Sequence, residues 1–170
     1  HTPPWPIPKL FRLASKKKLI KGIFEGGTIN TPSMICVEDG LDALNWVESV
    51  GGTKELVNIS NQNLKTVEDW IEKSDNFKFM CEDKNIRSST SITVLIKDEW
   101  FAKHNEEDQR GVLKKLFSLL EKEGVANDIN GYPKAPPNIR IWGGSTVQNS
   151  DMKALLPWID WAYNSIKNNA

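Results

Sequence analysis

Apolar and polar positions recur along this chain with two distinct periods, and the changes of period mark out its elements. From Ser33 to Val50 the residues Val37, Leu41, Leu44 and Val47 fall at helical spacing, and Gly51-Gly52 ends the run. A second helix is predicted from about Lys54 to Lys73, with Leu56, Ile59, Asn63, Val67 and Ile71 near one face. Phe77, Phe79 and Cys81 then alternate with Lys78, Met80 and Glu82, and Ser88 to Lys97 places Ile92, Val94 and Ile96 on one side. Both are strand patterns. A third helix covers Glu106 to Glu123, striped by Val112, Leu113, Leu116, Phe117 and Leu120 and stopped at Gly124. Val125 to Ile129 is a short strand candidate, and Asn138 to Trp142 is the last strand. A final helix begins at a Ser150 or Asp151 cap, with Leu155, Ile159, Ala162 and Ile166 on one face and Pro157 expected to kink it.

Two helices followed by strand, strand, helix, strand, strand, helix read as an α+β layer. A small, largely antiparallel sheet would be covered by helices on one side. The first 22 residues have no period. Thr2 to Pro8 is held extended by its prolines, Lys9 to Leu13 is a possible short strand, and Lys16-Lys17-Lys18 reads as a solvated loop. An ordinary domain rarely starts with such an arm, so a piece of a larger protein is expected.

Composition narrows the classes. The 170 residues are 39% hydrophobic and 26% charged, which suits one folded domain with a proper core. Lys plus Arg and Asp plus Glu are 22 each, so no basic field favours nucleic acid. No apolar run is long enough to cross a membrane. Cys36 and Cys81 have no metal-type spacing, fall on predicted apolar faces as packing residues, and favour a reducing cytoplasm. His1 and His104 are flanked by polar or loop residues and are expected to face solvent. Seven tryptophans imply large apolar surfaces to cover, some of them against a partner or further chain.

Two stretches carry candidate chemistry. Glu25-Gly26-Gly27-Thr28-Ile29-Asn30-Thr31-Pro32-Ser33 leads into the first helix. Thr31 or Ser33 can cap that helix and Pro32 suits its first position, while the free N–H groups of a helix start could also receive an anion. In Asn138-Ile139-Arg140-Ile141-Trp142, alternation turns Arg140 and Trp142 away from Ile139 and Ile141, and Gly143-Gly144 leave room beside the arginine. Its planar fork suits a carboxylate or phosphate, and a structural ion pair is the other reading. No P-loop, GxGxxG, HExxH or Cys–His metal motif occurs, and no metal site is expected.

Three segments together resemble phosphoserine aminotransferase, a class V, fold type I enzyme dependent on pyridoxal 5'-phosphate (PLP). They are Pro3-Pro4-Trp5-Pro6-Ile7-Pro8-Lys9, the run Gly22 to Ser33, and Pro136-Pro137-Asn138-Ile139-Arg140-Ile141-Trp142. The resemblance spans nearly the whole chain but only the C-terminal half of that enzyme. It implies the C-terminal domain of fold type I PLP enzymes, with residues 1–32 as linker and cofactor-contacting arm and 33–170 as the small domain. The activity implied is amino-group transfer between L-glutamate and 3-phosphohydroxypyruvate, giving O-phosphoserine and 2-oxoglutarate in serine biosynthesis. A cytoplasmic homodimer is implied, with small-molecule substrates and neither nucleic acid nor membrane as partner. The Schiff-base lysine would lie before the arm, leaving this chain inactive alone. Asn30 and Thr31 would reach the PLP phosphate of the other subunit, and Arg140 would hold the substrate α-carboxylate. Where the better-known branch carries a His-Arg pair, this chain has Gly131-Tyr132-Pro133-Lys134-Ala135. Lys134 is the one cation there: either it takes part of the phosphate role or groups outside this chain do, and a solvated loop lysine is the plainer reading. Arg87 resembles a family position without an assigned role. Another class V PLP aminotransferase, or a non-catalytic binding or interaction module on the same fold, are the competing readings.

Overall fold

The computed structural model describes residues 5–8 and 11–169. His1, Pro3, Pro4, Lys9 and Leu10, on which part of the sequence reading rests, lie outside the described residues. The chain divides into two compact units, His1–Ser49 and Val50–Ala170.

In the first unit, β1 (Ala14–Ser15) and β2 (Lys18–Leu19) pair antiparallel around Lys16 and Lys17. Both turn lysines have positive φ, 49° and 63°, as a two-residue hairpin turn with the right twist demands. The expected strand at Lys9 to Leu13 is therefore displaced: Phe11, Arg12 and Leu13 lie outside any strand, and the lysine loop is the hairpin turn itself. A 3-10 turn follows at Lys21–Glu25 and then α1 at Met34–Ser49. The helix is where its period puts it, but none of its residues is buried. Cys36 is exposed rather than packed.

The second unit holds the core. Its helices are α2 (Gly52–Lys73), α3 (Glu99–Ala102), α4 (Glu106–Lys122) and α5 (Asn149–Asn168). Its strands β3 (Phe77–Phe79), β4 (Ser91–Ile96) and β5 (Ile139–Trp142) form one antiparallel sheet in that order. One face of the sheet, made by Phe77, Phe79, Ile92, Val94, Ile96, Ile139 and Ile141, is buried with Val67 of α2, Leu116 of α4 and Ile159 of α5. The period-two and period-3.6 stripes of the sequence meet in this single core.

Three expectations change. Val125 to Ile129 forms no strand; the chain turns through Asp128 at φ +53°, and only Asn130 makes an isolated bridge, to Ile139. The last helix is capped at Gln148, not at Ser150 or Asp151, and Pro157 sits inside it. His104 is half-buried, with Nδ1 2.9 Å from the Trp100 carbonyl and its ring edge-on to the Trp100 indole.

Asn63 explains its own place on an apolar stripe. It is fully buried, and its Nδ2 donates to the carbonyls of Gly143 and Val147 at 3.1 and 2.9 Å. Asn149 Nδ2 in turn donates to Asn63 Oδ1 at 3.1 Å. This amide ties the loop after β5 to α2. Asn63→Leu strands those carbonyls without donors, so urea unfolding is expected to show a loss of about 1–3 kcal/mol.

At the far end of α5, the Lys167 Nζ lies 2.5 Å from Asp98 Oδ2. Burial resists ionisation of Asp98, but hydrogen bonds from Lys167 and from the Phe101 and Trp100 N–H groups outweigh it, and the carboxyl is held below its ordinary value. A depressed carboxyl stabilises the fold above its unfolded pKa and loses that contribution as pH falls through the folded value. Asp98→Asn should therefore be less stable than the wild type at neutral pH. The gap should close in thermal melts taken progressively into acid.

Candidate functional site

The alternation of β5 decides where Arg140 points. Ile139 and Ile141 are buried, Arg140 pairs across the sheet with Thr93, and its side chain is 25% exposed on the opposite face beside Trp142. The glycines that follow serve packing rather than the ligand space expected of them. A Cβ on Gly143 would meet Ile92 Cδ1 at 2.7 Å, and one on Gly144 would meet the Trp142 indole at 2.5 Å. Both positions need a missing side chain so that the sheet end can close.

The loop before β5 surrounds the guanidinium. Arg140 Nε donates to the Asn130 carbonyl at 3.1 Å, and its Cζ stands 4.8 Å from the centre of the Tyr132 ring. Arg140 Nη2 faces Asp128 Oδ2 at a long 3.5 Å, and that carboxylate is 86% exposed. Nη1 has no hydrogen-bond partner among the described residues. A guanidinium held by one carbonyl, one ring face and one distant carboxylate keeps donors free for an incoming anion.

The loop is itself pinned. Arg110 Nη2 of α4 donates to the Ala135 carbonyl at 2.8 Å, and Asn138 Nδ2 donates to the Pro136 carbonyl at 2.6 Å. Lys134 projects from the same loop, exposed and without an ion pair among the described residues. A cavity of about 360 Å³ opens behind the loop, with Arg110, Lys114, Phe117, Tyr132 and Asn138 in its wall; Arg140 does not line it.

Arg87 is the instructive contrast. Its side chain is 6% exposed, with Nη1 2.7 Å from Glu68 Oε1, Nε and Nη2 each 3.1 Å from the Cys81 carbonyl, and the guanidinium 3.7 Å above the Phe79 ring. Its donors are used within the fold. Arg87 is structural; Arg140 is available.

Asn30 and Thr31 sit in the first unit, between the 3-10 turn and α1. Their side chains are exposed and hydrogen-bond to no described residue. The turn before them is tight: Gly27 N–H donates to the Gly22 carbonyl, and a Cβ on Gly27 would meet that oxygen at 2.6 Å. An amide and a hydroxyl free on one exposed loop are a donor set that fits a phosphate.

The phosphoserine aminotransferase of Methanosarcina barkeri (strain Fusaro / DSM 804) is 48% identical over 167 residues, which cover 98% of this chain and 42% of that protein. The chain is homologous to a part of phosphoserine aminotransferase. The Methanosarcina mazei (strain ATCC BAA-159 / DSM 3647 / Goe1 / Go1 / JCM 11833 / OCM 88) phosphoserine aminotransferase is 46% identical over 167 residues, again covering 98% of this chain and 42% of its own length. The chain thus spans well under half the length of the curated relatives it matches. Among solved structures, phosphoserine aminotransferase from Bacillus circulans subsp. alkalophilus superposes with a TM-score of 0.68 at 19% identity, over 84% of this chain and 36% of its own. A phosphoserine aminotransferase structure concerned with radiation damage of its Schiff base gives 0.66 at 18% identity, over 87% and 37% respectively. These likenesses show the fold: an antiparallel α+β layer shared with phosphoserine aminotransferases. No family model matches the chain. Among the described residues no helix is long and apolar enough to cross a membrane, and no cluster of His, Cys, Asp and Glu could hold a metal ion.

Sequence reasoning missed the surroundings of Arg140. Asp128, Asn130 and Tyr132 carry no motif, and only a left-handed turn and the tertiary path of the loop bring them to the guanidinium.

Proposed function

We propose that this chain is the C-terminal portion of a phosphoserine aminotransferase, which moves an amino group between L-glutamate and 3-phosphohydroxypyruvate. The observation that carries it is the 48% identity to such an enzyme over 98% of the chain. In this reading the full-length protein is a cytoplasmic homodimer, and the lysine that holds PLP lies in the part of the relatives this chain does not match. The chain is then inactive alone.

Asn30 and Thr31 are the residues that fit the cofactor phosphate, by donating an amide N–H and a hydroxyl to it across the dimer interface. PLP, when bound, supplies the electron sink for the transfer. Arg140 orients the α-carboxylate through its free guanidinium donors, and the Asn130 carbonyl and Tyr132 face keep the fork aimed. Glutamate and phosphoserine share the same α-amino-acid head and differ in their side-chain anion, so one arginine on that head serves both halves of the exchange. Lys134 is the candidate for the substrate phosphate, where an exposed ammonium can act as a point charge.

The arm gives the test. In the full-length protein, Thr31→Ala is expected to weaken PLP retention by about 1–3 kcal/mol, the worth of a hydrogen bond to a charged group. Mixed dimers with a lysine-dead partner should recover PLP binding, because the mutant subunit keeps its own lysine and borrows a wild-type arm. Mixed dimers that fail to recover would show that the arm does not serve the neighbouring subunit. Borohydride reduction of the 170-residue chain with PLP should leave no stoichiometric lysine adduct, whereas the full-length protein should give one.

A further inference from the structure

We infer that Asp128 occupies half of the carboxylate seat on Arg140 when the site is empty, and that an incoming carboxylate must displace it. This rests on the reading of Arg140 as the α-carboxylate ligand. With Nε committed to the Asn130 carbonyl, the bidentate edge left on the guanidinium is the Nη1–Nη2 pair. Asp128 Oδ2 stands 3.5 Å from Nη2, on one half of that edge. Asp128 makes no other hydrogen bond or ion pair among the described residues, so nothing else in the fold holds its carboxylate there.

The backbone points the same way. Asp128 has φ +53°, a left-handed conformation that Asp and Asn tolerate and most residues avoid. The turn lies two residues before Asn130, whose isolated bridge to Ile139 joins this loop to β5. The contact is also built to be broken. It is single, long and 86% exposed on the carboxylate side, so it weakly pre-orients the arginine instead of locking it as Glu68 locks Arg87. Tyr132 and Asn130 keep the guanidinium in place once Asp128 leaves. Asp128 is in this sense a positioning residue that competes with the ligand it prepares for.

The test is a titration of the full-length, cofactor-loaded protein with 2-oxoglutarate, followed by the Arg140 Nε–H resonance in ¹⁵N NMR. Asp128→Asn keeps the left-handed turn and removes the charge. It should bind about two- to five-fold more tightly, the range expected for release of an exposed ion pair. Glu123→Gln removes an equal charge a few residues upstream and should bind as the wild type does. Equal affinity in Asp128→Asn and wild type, or the same gain in Glu123→Gln, overturns the inference and leaves the Arg140 reading intact. A resonance unmoved by 2-oxoglutarate in every variant removes the Arg140 reading, and the competition at Asp128 goes with it.

Discussion

Replacing Arg140 by alanine in the full-length protein is expected to slow the half-reactions with glutamate and with phosphoserine together, each by about 30-fold to 1000-fold. That is the kinetic equivalent of about 2–4 kcal/mol, the loss on truncating one partner of a desolvated charge pair. Both should fall because the head group that Arg140 meets is common to the two amino acids. Folding should survive, since among the described residues the side chain makes one hydrogen bond, to a backbone carbonyl, one long ion pair and one contact with the Tyr132 ring. The urea midpoint should move by less than about 1 kcal/mol in free-energy terms, as for an exposed pair. Arg140→Lys keeps the charge but not the planar fork, so it should remain impaired in both directions. Stopped-flow absorbance of the bound cofactor reads each half-reaction separately. A defect confined to phosphoserine would make Arg140 a phosphate ligand instead.

Arg87→Ala should do the reverse: no binding defect of its own and a large loss of stability, about 3–5 kcal/mol by urea unfolding. The deletion leaves Glu68, 18% exposed, without its cation and strips two hydrogen bonds from the Cys81 carbonyl. Some residual water contact at Glu68 favours the lower end. A loss below about 1 kcal/mol would mean that the pair behaves like a surface bridge and that the assignment is wrong. Two arginines of one chain are thus separated by where their donors go.

Much of this architecture is written in the residue pattern. The stripes of α2 and α4 and the alternation in β3, β4 and β5 are long enough for the period to be read. Burying both kinds of stripe in one layer leaves few alternatives. Asn63 was also visible, as an amide on an otherwise apolar face, though its partners Gly143 and Val147 could not be named. The misses have specific causes. The four-residue α3 is shorter than any useful window, and its signal is the Asp98 side chain, which accepts from Trp100 N–H at 2.8 Å. The hairpin of β1 and β2 turns through two lysines with positive φ, where Asn-Gly would have announced it. Val125 to Ile129 has strand composition, but the left-handed Asp128 breaks its path. The period of α1 identified a helix without telling what covers its apolar side: Met34, Ile35 and Leu44 are each more than 60% exposed.

At the site, alternation alone turned Arg140 out of the core, and how far its donors are engaged within the fold needed the distances. The 3.5 Å contact with an exposed Asp128 is too weak to consume the guanidinium, whereas Arg87 is fully engaged. Lys134 is exposed as an ordinary loop lysine would be, and the phosphate role proposed for it rests only on its position in the loop.

The most direct test of the whole account is product formation by the full-length protein. Incubated with PLP, L-glutamate and 3-phosphohydroxypyruvate, it should yield O-phosphoserine and 2-oxoglutarate in equal amounts, and the 170-residue chain alone should yield neither. A full-length protein that binds PLP and consumes glutamate but forms no O-phosphoserine would contradict the account, and would make it an aminotransferase for a different acceptor.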